Sequence, residues 1–301
     1  MNKRVYAVIG VKSIMSNWNA DFTGRPKTIS NDRIFGSDKA LKYSMKKYWE
    51  NKGEKVLYIK SYQIKEKEEK LQPKTLKGRY EELFESLSAK TPSKDVLKNL
   101  FSAIDVMCFG ATFAEEKNNI SITGAIQVGQ GFNHYEDSEV EIQDILSPFS
   151  TDDTKDASTL GKKIVSDEAH YFYPVVVNPK AYNNYIDIVD DFDGFSEEAY
   201  QLFKEAGLCS ATLLATNSKI GCENEFSLFV ECDEEVYLPN LASYIEFEKG
   251  EVNVIRLKHN SLLMQKGIQK VEVYYNPYST KIEGFDTDKT TYMNIFTKEV
   301  I

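Results

Sequence analysis

The chain has 301 residues, 42% hydrophobic and 28% charged, with 37 Lys and Arg against 46 Asp and Glu and a formal charge of −9. This composition supports one large or two ordinary domains with a real core, and it excludes collagenous, mucin-like and wholly disordered classes. No apolar run approaches the roughly 18 residues that span a bilayer. The stretch Val5–Val11 stops at Lys12 with no small-residue cleavage site after it, so neither a membrane segment nor a signal peptide is expected, and a cytoplasmic protein is.

In chain order, Arg4–Met15 has the β-branched and aromatic content of a strand, and a long polar loop follows from Ser16 to Gly36. Leu41, Met45, Tyr48 and Trp49 then fall at helical spacing behind Ser37, a natural N-cap, which predicts the first helix. Lys55–Ser61 is expected to be a short strand and Lys65–Lys77 a charged, mobile segment. Two helices are marked by Tyr80, Leu83, Phe84 and Leu87 and by Val96, Leu97, Leu100, Phe101 and Ile104. Asp105–Gly110 is a short apolar segment ending in glycine. Ile120, Ile122, Ile126 and Val128 alternate with polar or small residues as one half-buried strand running into the turn Gly129-Gln130-Gly131.

Glu136–Asp167 is an acidic excursion of the length that usually carries function. Strand character resumes at His170–Val177, a helix covers Ser196–Leu214, and three more strands lie around Phe226–Val230, Val252–Val254 and Val271–Tyr275. This element order predicts an α+β fold on a split βαβ, ferredoxin-like plan with inserted segments.

Charge is unevenly placed. Residues 1–100 hold 22 Lys and Arg against 12 Asp and Glu, and the remaining 201 hold 15 against 34, so the amino-terminal part is suited to a polyanion or an acidic neighbour. On a helix, Lys39, Lys42 and Lys46 fall within a sector of about 60°, away from the apolar stripe, and form a basic rail. Gly36 and Ser37 ahead of it, at a helix N-terminus, would make a phosphate cradle to which Arg33 adds a fork of donors. The glycine turns Gly110-Ala111-Thr112 and Gly129-Gln130-Gly131-Phe132 would let a backbone approach a ligand, with Phe113 and Phe132 available for stacking, although a hairpin or bulge explains both turns as well.

No metal, cofactor or catalytic constellation is legible. Cys108, Cys209, Cys222 and Cys232 form no C-x-x-C pair and are expected to be buried free thiols, and His134, His170 and His259 have the surroundings of packing residues. Asp21, in the loop Asn17–Gly24, could assist metal-dependent RNA cleavage, although an ordinary loop aspartate explains it as well.

The order of Arg33-Ile34, Ser37, Leu41-Lys42, then Asp105, Phe109-Gly110, then Ile120-Ser121-Ile122-Thr123-Gly124-Ala125-Ile126-Gln127-Val128-Gly129, and finally Tyr171–Asn178 with Pro179, resembles the backbone subunit of type I CRISPR Cascade complexes, the Cas-seven group in its DevR-like, type I-B form. The resemblance spans most of the chain to about Pro179. It implies a modified ferredoxin-like palm at 1–60, 104–135 and 168–301, a helical fingers insertion at 61–103 and a thumb hairpin at 136–167.

It also implies a non-catalytic subunit that polymerises head to tail along CRISPR RNA, grips the phosphate backbone without sequence preference, and presents bases for pairing with target DNA among other Cascade subunits. RNA contacts then fall on Arg33, Ser37, Lys39, Lys42, Lys46, Gly110, Ala111, Thr112, Gln130 and Phe132, with no catalytic residue, cofactor or metal. An RNA-recognition aromatic signature is absent and the chain is acidic, so an isolated monomer is expected to bind RNA weakly. Two alternatives stay open: a type III-like subunit that cleaves target RNA through Asp21 and a divalent metal, and a protein-interaction domain without nucleic acid.

Overall fold

The computed structural model describes residues 1–65, 69–150 and 158–301. The expected fingers and thumb each contain a stretch, 66–68 and 151–157, that lies outside the described residues. Among the described residues the main sheet has nine strands. Across it run Thr290–Asn294, Ile268–Tyr275, Cys222–Cys232, Arg4–Ser16, Ser158–Val177, Gly131–Asn133 and Phe35–Gly36, while Ile126–Val128 and Val140–Ser150 also pair with Ser158–Val177. Neighbours are antiparallel except Ile268–Tyr275 with Thr290–Asn294.

Val5–Val11 is buried without interruption because both faces of the central strand are covered. Val5, Ala7, Ile9 and Val11 pack on the helical side, and Tyr6 and Val8 pack toward Leu241, Ile255, Leu257 and Phe285 around a second, three-stranded sheet of Ile245–Glu248, Asn253–Leu257 and Thr280–Glu283. The result is three layers, helices, main sheet and small sheet, in which each fully buried aliphatic side chain contributes about 1.5–3 kcal/mol. The first helix, Asp38–Asn51, starts at the Ser37 cap as expected and buries Leu41, Met45 and Trp49. It lies beside the helix Glu197–Cys209, where Trp49 Nε1 donates to the Leu202 carbonyl at 3.1 Å. Among the described residues no helix is long and apolar enough to cross a membrane, and all four cysteines are free.

Three local expectations are corrected. Lys55–Ser61 is irregular rather than a strand, because the N–H groups of Leu57 and Tyr58 donate to the Asp105 carboxylate, each at 2.8 Å, instead of to a ladder. The strand lies one segment later, where Tyr62–Lys65 pairs with Lys70–Pro73, the latter inside the stretch expected to be mobile. The alternation from Ile120 to Val128 belongs to two strands in two sheets. Asn118–Thr123 pairs with Gly110–Glu115, and Ile126–Val128 joins the main sheet. The chain turns between them at Gly124, where a Cβ would stand 2.2 Å from the Phe109 carbonyl carbon at the end of the helix Ile104–Phe109.

The acidic excursion is a long hairpin. Val140–Ser150 pairs antiparallel with the outer half of Ser158–Val177, and that strand continues inward to lie beside Arg4–Ser16. A continuous strand therefore connects the hairpin directly to the sheet centre.

Candidate nucleic-acid interface

At the opening of the first helix, Lys39 is exposed and its ammonium has no partner among the described residues. Lys42 Nζ lies 3.0 Å from Asp38 Oδ2 and 5.2 Å from the centre of the Phe109 ring. Asp38 Oδ1 also accepts from Gln130 Nε2 at 3.3 Å, so the helix opening, the Gln130 turn and the Phe109-Gly110 junction meet around one carboxylate. Burial opposes ionisation of Asp38, but the Lys42 and Gln130 hydrogen bonds and the Lys42 charge outweigh it and hold the carboxyl below its ordinary value.

Lys46, expected on the same open rail, turns inward. It donates to the Tyr58 carbonyl at 3.1 Å and stands 3.5 Å from Asp105, and burial depresses its pKa by more than Asp105 restores. The expected cradle is also occupied from within. Both the Ser37 N–H and its hydroxyl donate to Asn19 Oδ1, at 3.1 and 2.5 Å, which makes Ser37 a cap and a tie to the first loop. Gly36 and Gly131 pair across the sheet edge, and a Cβ on either would stand 1.8 Å from the Tyr173 hydroxyl or 2.5 Å from its ring. These glycines make room for Tyr173.

Gly110 has φ +79°, a region that favours glycine, and a Cβ there would lie 2.1 Å from the Ile122 carbonyl oxygen. Beyond it Ala111 is buried and the Thr112 side chain is exposed, while the Thr112 carbonyl accepts from the Tyr58 hydroxyl at 2.6 Å. Arg33 holds its guanidinium 5.0 Å over the half-buried Phe132 ring and donates twice to the Asn133 carbonyl at 3.1 Å. Lys39, Gln130 and Thr112 thus present exposed side chains, Lys42 and Lys46 are both half-buried with Lys46 turned inward, and Ser37 and Ala111 are buried.

Two cations in the first loop, Arg25 and Lys27, were not singled out by sequence pattern, and neither meets an acidic partner among the described residues. Their position in a polar loop just before a basic helix was the available signal. The loop is braced from both sides. Asn17 Nδ2 donates to the Gly24 carbonyl at 2.9 Å and the Ile164 carbonyl at 3.1 Å, tying the loop to the hairpin, and Asn19 ties it to Ser37. Asp21 closes the turn, its Oδ1 accepting from Thr23 N–H and Oγ1–H, both at 2.7 Å, and from Arg25 N–H at 3.0 Å. These bonds, the Thr23 hydroxyl first, lower its pKa. Among the described residues no group of three or more His, Cys, Asp or Glu could hold a metal ion.

A cleft of about 990 Å3 opens beside Arg33, between Asn133–Ser138 and Ile245–Lys249. Beneath it His170 is buried, with Nδ1 2.8 Å from Glu225, Nε2 2.9 Å from Glu168 and its ring stacked on Phe247 at 3.8 Å. Burial works to lower the His170 pKa, but Glu225 and then Glu168 outweigh it and the value is raised above 6.5. A histidine that binds its proton more tightly when folded stabilises the fold fully below the unfolded value near 6.5, and that contribution disappears as pH rises through the folded value. We expect His170→Gln to lower the thermal midpoint at pH 6 and to lose this decline above pH 6.5. An unchanged pH profile in scanning calorimetry would contradict the assignment. His134 works in the opposite sense: burial, helped by the Arg33 charge, depresses it to about 4.

A family model described as CRISPR-associated protein Cas7 matches residues 3–273. No curated protein matches the chain. Among solved structures, a chain of "CRISPR RNA-guided surveillance complex, pre-nicking" is 13% identical with a TM-score of 0.49, the alignment covering 78% of this chain and 83% of that one. A chain of "CRISPR RNA-guided surveillance complex" is 14% identical with a TM-score of 0.45 and 91% of each chain covered. A chain of "Cryo-EM structure of the Type III-B Cmr-beta bound to cognate target RNA" is 8% identical with a TM-score of 0.40, covering 74% of this chain and 59% of that one.

Proposed function

The chain belongs to the CRISPR-associated protein Cas7 family, and on that premise we propose that it is the non-catalytic backbone subunit of a cytoplasmic Cascade-type surveillance complex, of the type I-B form. Copies polymerise head to tail along CRISPR RNA, hold its phosphates without regard to sequence, and leave its bases free to pair with target DNA, in contact with the other Cascade subunits. The observation that carries this reading is the convergence of Lys42 and Gln130 on Asp38 beside Phe109, with exposed Lys39 on the same helix and with Arg25 and Lys27, which have no acidic partner among the described residues, in the adjoining loop. Cations, amide donors and aromatic rings on one surface suit single-stranded RNA of any sequence.

In this reading the palm is 1–60, 104–135 and 168–301. The placement of Arg4–Ser16 between Ser158–Val177 and Cys222–Cys232, with two helices packed on one face, supports a ferredoxin-like palm. The fingers are 61–103, which hold a two-stranded ribbon and the helices Leu76–Leu83 and Ser93–Ser102. The thumb is the hairpin at 136–167, and its exposed Ile142 and Ile145 suit contact with a neighbouring copy. A basic amino-terminal part and an acidic remainder favour association through unlike surfaces, which generates an open filament.

Asp21 serves the turn, and its hydrogen bonds favour a structural carboxylate over a metal ligand. The decisive experiment is purification of the chain from its host. We expect guide-length RNA of mixed sequence to come with it and to be released by salt. A nucleic-acid-free protein with a flat binding curve at low salt would overturn the proposal, and metal-dependent RNA cleavage lost in Asp21→Ala would replace it with the cleaving alternative.

A further inference from the structure

The first loop carries a feature that phosphate binding leaves unused. Phe22 is 101% exposed, at the tip of the turn that Asp21 closes. A ring left wholly in water contributes no burial energy to the fold, so both of its faces are open to a partner. The turn is rigid as well as exposed. Asp21 N–H donates to the Arg25 carbonyl at 2.7 Å while its carboxylate takes the Arg25 N–H, so the five residues form a closed loop. Its anchors reach both sides of the candidate interface, Asn17 to Ile164 in the hairpin and Asn19 to Ser37 at the first helix. A preorganised ring on such a mount loses little freedom on binding.

We propose that Phe22 and Arg25 together form a stacking site for one unpaired nucleobase of a single-stranded nucleic acid, lying between the hairpin and the first helix. The inference rests on the RNA-binding reading and adds a contact to a base. Arg25 decides the class of occupant. A solely apolar partner would leave unused a guanidinium that has no acidic partner among the described residues, whereas a nucleotide offers a π face for the ring and a phosphate for the cation.

The test uses the full chain at low salt with an oligouridylate probe. We expect Phe22→Ala to weaken binding about tenfold without changing the salt slope. Phe22→Leu should be nearly as weak, because it keeps apolar bulk but has no π face, and Phe22→Trp should bind at least as well as the parent. The other tryptophans, Trp18 and Trp49, are buried, so RNA-dependent quenching in Phe22→Trp reports stacking at that site. Full affinity in Phe22→Leu, absence of quenching, or a Phe22→Ala defect confined to self-association would overturn the inference. If Phe22→Ala binds normally while Lys42→Glu is impaired, only the stacking site is refuted. If neither variant is impaired, the RNA-binding reading fails as well.

Discussion

Lys42→Glu is expected to weaken RNA retention about tenfold near physiological salt and to make the salt dependence shallower by about 0.7 for each phosphate that is no longer neutralised. The reversal removes the ammonium poised over Phe109 and places a second carboxylate one turn after Asp38, at the positive end of the helix where a phosphate would sit. Two like charges would then face the strand. Because the interaction is with phosphate, the effect should be the same for guides of any sequence, and a defect limited to certain sequences would refute the assignment. Stability is a fair control, since a partly exposed i,i+4 pair is worth less than about 1 kcal/mol.

Asp105→Ala should reduce the unfolding free energy by about 3–5 kcal/mol in urea titration. The Asp105 side chain is wholly buried and receives two backbone N–H groups from the irregular segment after the first helix as well as the Lys46 ammonium. Its removal leaves a half-buried cation and two amide donors without an acceptor. Adding Lys46→Met to Asp105→Ala should recover part of the stability, because it removes the uncompensated charge while keeping the apolar stem. A single-variant effect below about 1 kcal/mol, or no recovery in the pair, would show that the carboxylate is not the clamp described.

Those two residues also show why part of the interface could not be foreseen. Helical spacing places Lys39, Lys42 and Lys46 on one face, and they do share it. That face is exposed at Lys39, half-buried at Lys42 and packed against the segment 56–59 at Lys46, and helical phase carries no information about what packs against a helix. The same holds for the glycines: Gly36 and Gly131 make room for Tyr173, which is distant in sequence and adjacent only through strand pairing.

Local pattern alone determined the long central strand, the Ser37-capped helix, the helix after Ser196 and the carboxyl-terminal strands around Phe226–Val230, Val254 and Val271–Tyr275, but not Ile245–Glu248, Thr280–Glu283 or Thr290–Asn294. Each depends on periodicity or spacing within one stretch of chain. Tertiary structure decided that Ile120–Val128 divides between two sheets, that Leu57 and Tyr58 give their N–H groups to a carboxylate, and that Lys46 turns inward to Tyr58 and Asp105. It also decided that the first loop is braced between hairpin and helix with Phe22 in water. Those outcomes depend on which distant groups compete for the same hydrogen bonds and the same space, and only the folded chain brings the competitors together.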